Sequence, residues 1–259
     1  MATLTNLALL LFGLLLFTSS ANAAPSDALA YLPEQQVLQQ LPALEQQTAA
    51  QQKLLLIVLG ADWCHDSVAL IKQFSQPEFA TQLQQRFNTI MVDVGYLQYG
   101  SSVTKRYNQP AYYGTPTVMI INPATGQLLN KADLMLWTDA STMAADDYQQ
   151  YFIATNFKQQ FNEQAQQLAT ITPTLQQQIT RFEQQQAEQL TVAYQHAGSL
   201  LKAYKTSKAP ASDEFKQVWD EVKTFRTGIL PAVLELQQQA ITLPANTELV
   251  LPASSVFSF

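Results

Sequence analysis

The chain has 259 residues, enough for one or two domains, with 14 basic and 20 acidic residues and a net charge of −6. No basic cluster is present, which disfavours nucleic acid and anionic lipid as partners. One cysteine, Cys64, excludes an internal disulfide.

At the start, an apolar run, Leu7 to Phe17, precedes Ala21-Asn22-Ala23, the small-residue pattern of a secretory signal, with cleavage expected after Ala23. This stretch has no Lys or Arg, so an uncleaved anchor is the alternative, although the run is short for a membrane span. No later segment has the length of a transmembrane helix. Export predicts a periplasmic or secreted location, an oxidising setting in which cysteines usually pair. A lone cysteine there is a reactive thiol, an intermolecular partner or a buried small hydrophobe.

Residues 24–52 read as a helical lead-in. Leu38, Leu41 and Leu44 recur at helical spacing, with Pro42 as an interruption. The lead-in packs one face on the adjoining domain or, alternatively, binds a partner. Next comes KLLLIVLGADWCHDS, Lys53 to Ser67. The run Leu54–Leu59 suits a strand buried on both faces. Gly60 ends it and delivers Trp63 and Cys64 to a helix start, where free backbone N–H groups and the helix dipole favour a thiolate.

Beyond it, Val68, Leu70, Ile71 and Phe74 form an apolar stripe, and Pro77 opens a second short helix with Phe79, Leu83 and Phe87 inward. Thr89–Val94 is a second buried strand, so this strand–helix–strand unit predicts a parallel crossover. Residues 96–110 read as loop plus a short helix. Val118–Ile121, a turn at 123–126 and a return strand from Gln127 to Leu129 form an antiparallel hairpin on the sheet edge. The run 139–157 reads as a helix with early acids and an aromatic face.

From Lys158 the composition turns rich in glutamine and poor in glycine. Thr172-Pro173 predicts a cap and first turn. Leu175, Ile179, Phe182, Leu190 and Tyr194 then mark one apolar face. Residues 208–212 are a loop with Ser212 as the next cap. A helix over 213–225 comes next, then a break at Gly228, a last helix over 231–241 and an extended tail. This region, 158–259, is a helical hairpin or small bundle, docked on the preceding domain or standing away to bind a partner. Its heptads are too irregular to favour a coiled-coil seam, and the oligomeric state stays open.

The strand, Trp63-Cys64-x-x-Ser67 at a helix start, the βαβ unit and Gly114-Thr115-Pro116-Thr117 before a hairpin strand together resemble the thioredoxin-like superfamily. More narrowly, ADWCHDSVALIKQFSQPEFA, VDVG and YGTPTVMIIN look like exported bacterial members of it. The resemblance covers 53–157 and implies an α/β thioredoxin-like fold, a central mixed sheet flanked by helices, here with an added C-terminal helical region. It also implies that Pro116 is cis beside the sulfur, that Trp63, Thr115 and Pro116 frame a substrate groove, and that the Thr115 backbone is free to pair with an extended peptide. The sequence departs from the usual dithiol pattern. Ser67 stands where a second cysteine is usual, Asp66 where proline is common, and Val58 where many thioredoxins keep a buried acid.

One thiol restricts the chemistry. A thiolate attacks a disulfide to give a mixed disulfide; Ser67 cannot resolve it and at best donates a hydrogen bond to the Cys64 sulfur. Release then needs an external thiol. A protonated His65 favours the thiolate and the Asp66 carboxylate disfavours it; alternatively both are ordinary first-turn residues facing solvent. A metal site built on Cys64, His65 and Asp66 fails because consecutive helical residues diverge. A papain-like nucleophile needs a distant histidine, and the only other one is His196. No metal or cofactor is expected. The reading is a monothiol protein exchanging disulfides with exported protein thiols or small-molecule thiols through Cys64, with Ser67, His65 and Asp66 around it. The alternative is a non-catalytic thioredoxin-fold docking protein that uses the groove and the helical region.

Overall fold

The computed structural model describes residues 29–207, 209–244, 247–253 and 257–259; the expected signal segment, 1–23, lies outside them. At its centre is β2 (Leu54–Gly60), buried along its whole length. Leu55, Ile57 and Leu59 point to one face and Leu54, Leu56 and Val58 to the other, the period-two alternation of an extended strand. On one side β2 runs parallel to β3 (Phe87–Asp93), which is parallel in turn to β1 (Leu32–Pro33); Ile57 lies opposite Ile90. On the other side it is antiparallel to β4 (Thr117–Asn122), with Ile57 opposite Met119, and β4 to β5 (Gln127–Leu128). The sheet order is therefore β1-β3-β2-β4-β5. The short β1 has no counterpart in the sequence reading, which predicts only a helix there. Past β5 the Asn130 side chain continues the ladder: it accepts from the Ile120 N–H at 2.8 Å and donates to the Val118 carbonyl at 2.9 Å. The edge of β4 stays satisfied in this way.

The first face of the sheet carries α1 (Glu34–Ala50) and α4 (Ser101–Arg106). The helix α1 runs unbroken through Pro42, where the sequence predicts an interruption. An interior proline costs about 3 kcal/mol. Complete burial of Val37 and Leu41 on the sheet returns about 2 kcal/mol each, which is enough to offset it. Glu45 of α1 binds the α4 guanidinium of Arg106 through both carboxylate oxygens, at 3.0 and 2.6 Å, and accepts from the Tyr107 hydroxyl at 2.7 Å. The hydrogen bond from Arg106 is the main reason the Glu45 carboxyl titrates below its ordinary value. A depressed carboxyl adds stability above its unfolded pKa and loses it as pH falls through the folded value. Glu45→Gln should therefore lower the melting temperature at neutral pH, and the gap from the parent should close on acidification; a gap independent of pH would refute the linkage.

The second face packs against α2 (His65–Phe74), α3 (Pro77–Arg86) and the segment beyond β5. In α2, Leu70 and Phe74 are buried as expected, but Val68 is 48% exposed. At about 100° per residue it sits about 200° round the axis from Leu70, off the stripe. The helix predicted over 139–157 is broken into a 3-10 run at Leu136–Thr142, a short α5 (Ala145–Tyr148) and a π turn at Gln149–Ala154. Ring packing prevails over regular helix here: Phe152 meets Trp137 at 4.8 Å and Phe74 edge-on at 4.9 Å. Arg86 closes the π turn by donating to the carbonyls of Ile153 and Thr155.

The C-terminal region consists of α6 (Phe157–Leu168), α7 (Pro173–Thr206) and α8 (Asp213–Thr242). Both predicted caps form: Thr172 accepts from the Leu175 N–H and Ser212 from the Phe215 N–H. Where two helices are predicted around Gly228, α8 is continuous. Phe225, Ile229, Leu230 and Val233 are buried on both sides of Pro231, so interrupting the helix would expose core on either side. Leu175, Ile179, Phe182, Leu190 and Tyr194 all lie in a core shared with Val218 and Val222 of α8 and with the Leu55–Ile57–Leu59 face of β2. The α7–α8 hairpin is thus docked on the sheet domain. Glu183 of α7 anchors it by accepting from the Tyr113 hydroxyl at 2.7 Å and from Lys131 Nζ at 2.6 Å.

Candidate functional site

The end of β2 and the start of α2 hold Cys64 as the N-cap residue, with its N–H on the Ala61 carbonyl at 3.1 Å and its own carbonyl taking the Val68 N–H. The sulfur therefore sits at the end of the helix where the first-turn N–H groups have no helical partners. The Thr115–Pro116 bond, just before β4, is cis, as the resemblance implies. Thr115 supplies both hydrogen-bonding contacts of the sulfur. The thiol donates to the Thr115 carbonyl at 3.3 Å, and the Thr115 hydroxyl donates to Sγ at 3.4 Å. The carbonyl expected to be free for a substrate is therefore engaged by the resting thiol. It is released when the sulfur ionises or reacts, whereas the hydroxyl remains a donor to the anion.

The other expected site residues divide. Trp63 stands beside the sulfur: its indole N–H donates to the Gly95 carbonyl at 2.6 Å, and its ring stacks on Tyr96 at 6.4 Å. Ser67 is fully buried and its hydroxyl accepts from the Ala61 N–H at 3.4 Å; the sulfur's hydrogen bonds are to Thr115 and not to Ser67. A Cβ at Gly60 would lie 2.3 Å from the Tyr31 hydroxyl oxygen and 2.6 Å from the Ser67 hydroxyl oxygen. Glycine at this position is what lets those two groups pack behind the sulfur. Burial pushes the Tyr31 phenol well above its ordinary range. Val58, the counterpart of the buried acid, lies in the apolar core of the second face. Asp66 is buried, accepting from the Ser141 N–H at 2.9 Å and lying 3.1 Å from His65 Nε2. Its carboxylate ties α2 to the 3-10 run, and the largely exposed His65 ring leans on it rather than on the sulfur.

Cys64 is 7% exposed. What remains accessible opens into a cleft of about 430 Å³ whose near wall is Trp63, Cys64 and Thr115. The far wall comes from the C-terminal hairpin: Tyr204 and Lys205 of α7, and Trp219, Lys223 and Arg226 of α8. Trp219 meets Trp63 edge-on at 6.4 Å. Reading the sequence misses this wall because Trp219 falls on the apolar stripe of a bundle helix. The available signal is the spacing of Trp219, Lys223 and Arg226, at i, i+4 and i+7, on one helix face. Among the described residues no group of three or more His, Cys, Asp and Glu is placed to hold a metal ion.

Residues 36–123 match a family model described as thioredoxin-like. None of the curated proteins compared matches the chain. Among solved structures, a disulphide isomerase from Xylella fastidiosa Temecula1 is similar, with 22% identity and a TM-score of 0.44, over 48% of this chain and 94% of that one.

Proposed function

We propose that this thioredoxin-like protein is a monothiol exchange protein of the periplasm or exterior, which forms mixed disulfides on Cys64 with protein or small-molecule thiols by exchange with their disulfides. The observation that carries this reading is the placement of the only sulfhydryl in the chain: at the N-cap of α2, against the Thr115 hydroxyl and the cis peptide, opening into a cleft. The Cys64 thiolate attacks a disulfide, one partner leaves as a thiolate, and the adduct stays until an external thiol attacks it, because Ser67 offers no second sulfur. Such a cycle shuffles or stores disulfides and performs no net reduction without a thiol supply. Export is supported by the Leu7–Phe17 run and the Ala21-Asn22-Ala23 site. No helix among the described residues is long and apolar enough to cross a membrane.

The low exposure of Cys64 favours a second reading, a docking protein that has kept the fold and an inert thiol. The two are separated by intact mass after exposure of the folded chain to excess 2-hydroxyethyl disulfide. The expected result is one adduct on the parent and none on Cys64→Ala. A parent that is modified only after unfolding leaves the docking reading in place.

A further inference from the structure

The far wall of the cleft carries a charge pattern that the acidic chain as a whole does not. Lys205, Lys223 and Arg226 all line it, and among the described residues none of the three forms an ion pair. Two acids also line the cleft. Asp66 is already engaged by the Ser141 N–H and His65, which leaves the exposed Asp139. The guanidinium of Arg226 is held over the Trp219 ring at 5.3 Å, and its Nε and Nη1 are buried with no hydrogen-bond partner. A guanidinium that is fixed in place, lines the cleft and has no acidic partner is suited to a carboxylate, to which it can donate a charge-assisted hydrogen bond.

We propose that the occupant of this cleft is a low-molecular-weight thiol, or its disulfide, bearing carboxylate groups, with sulfur at Cys64 and carboxylate against Arg226 and Lys223. This rests on the mixed-disulfide reading and names its substrate class. Size points the same way. A cleft of about 430 Å³ lies within the range of small-molecule sites, roughly 300–1,000 Å³. The hairpin stands across this cleft from Cys64 and Thr115, with Trp219 against Trp63, and so limits the space beside the sulfur. In the step itself, Cys64 S⁻ attacks one sulfur of R–S–S–R. The Cys64–S–S–R bond forms as the R–S–S–R bond breaks, and R–S⁻ leaves and takes a proton from water. Cys64 is oxidised and the departing sulfur is reduced, so the disulfide is its own oxidant.

The test uses three symmetric disulfides with the folded full chain: dithiodipropionate (anionic), 2-hydroxyethyl disulfide (neutral) and cystamine (cationic). Each rate of adduct formation is divided by that disulfide's rate with 2-mercaptoethanol, which removes its intrinsic reactivity. At low salt the anion should lead the neutral compound by about tenfold and the cation should trail it, with the spread shrinking in high salt. Lys205→Gln plus Lys223→Gln, and separately Arg226→Gln, should reduce the anion-to-neutral ratio; the lysine pair is exposed and keeps the test valid if the arginine variant folds poorly. Equal normalised rates for all three compounds would overturn the substrate class and leave monothiol capture standing. A folded chain that reacts with none of them, but reacts once unfolded, would overturn the capture reading itself. A disulfide in an unfolded protein outcompeting dithiodipropionate would also overturn the proposed class.

Discussion

Gly198→Ala should lower stability by about 2 kcal/mol and speed alkylation of Cys64 by about tenfold. The sign is diagnostic, because alanine is the better helix former by about 1 kcal/mol and would stabilise α7 if the position were open. It is not open. A Cβ there would lie 1.9 Å from the Tyr96 carbonyl oxygen and 3.2 Å from its carbon, and both atoms are backbone. Carbon and oxygen need more than about 3 Å, so α7 or the 95–98 loop must move by more than about 1 Å. That loop is the support of Trp63, through the Gly95 carbonyl and the Tyr96 ring, and α7 carries Tyr204 and Lys205 of the far wall. Loss of seating at Gly198 thus loosens both sides of the cleft at once. Thermal unfolding and iodoacetamide kinetics on the same variant read the two consequences. An unchanged or raised melting temperature would show that α7 does not rest on Tyr96.

Ser67→Cys should convert a single-sulfur site into a dithiol and speed clearance of the adduct formed from 2-hydroxyethyl disulfide by at least about a hundredfold over the parent, which has no internal way to clear it. Residues 64 and 67 are the N-cap and third positions of α2, and side chains at these positions meet across the first turn of a helix. A thiol at 67 would attack the Cys64 adduct intramolecularly and expel the captured partner, closing a disulfide between Cys64 and the introduced sulfur. The site is tight, with no exposed surface and the Tyr31 hydroxyl close by, so some loss of stability accompanies the gain. Intact mass should show the loss of two hydrogens on oxidation. An internal disulfide that forms without faster clearance of the adduct would show that the sulfur at position 67 does not reach the mixed disulfide. Absence of the internal disulfide would refute the geometry.

The two proline-containing helices show where local rules stop. Pro42 and Pro231 are breakers by any reading of neighbours, yet α1 and α8 pass through both, because buried side chains on each side contribute more than one lost hydrogen bond costs. Asp66 makes the same point for the site. Order along the chain sets it beside the sulfur, but its partner is the backbone of Ser141, 75 residues on, and it acts as a tether. Trp219 has the spacing of bundle core and instead faces Trp63 across the cleft.

What the sequence determined by itself is what short-range chemistry specifies. It set the central strand by its unbroken apolar run, the caps at Thr172 and Ser212 by their hydroxyls, and the sulfur at a helix start by the turn at Gly60. The cis bond at Thr115–Pro116 came from motif resemblance, and the structure has it. Only the tertiary structure decided that the helical addition folds back over the sheet and closes a cationic wall onto Cys64. That docking depends on the shape of two distant surfaces, on a glycine that admits a backbone carbonyl and on an ion pair spanning 52 residues. None of these leaves a periodic mark in the chain, because each partner is polar, small or apolar for reasons that its own neighbours already account for.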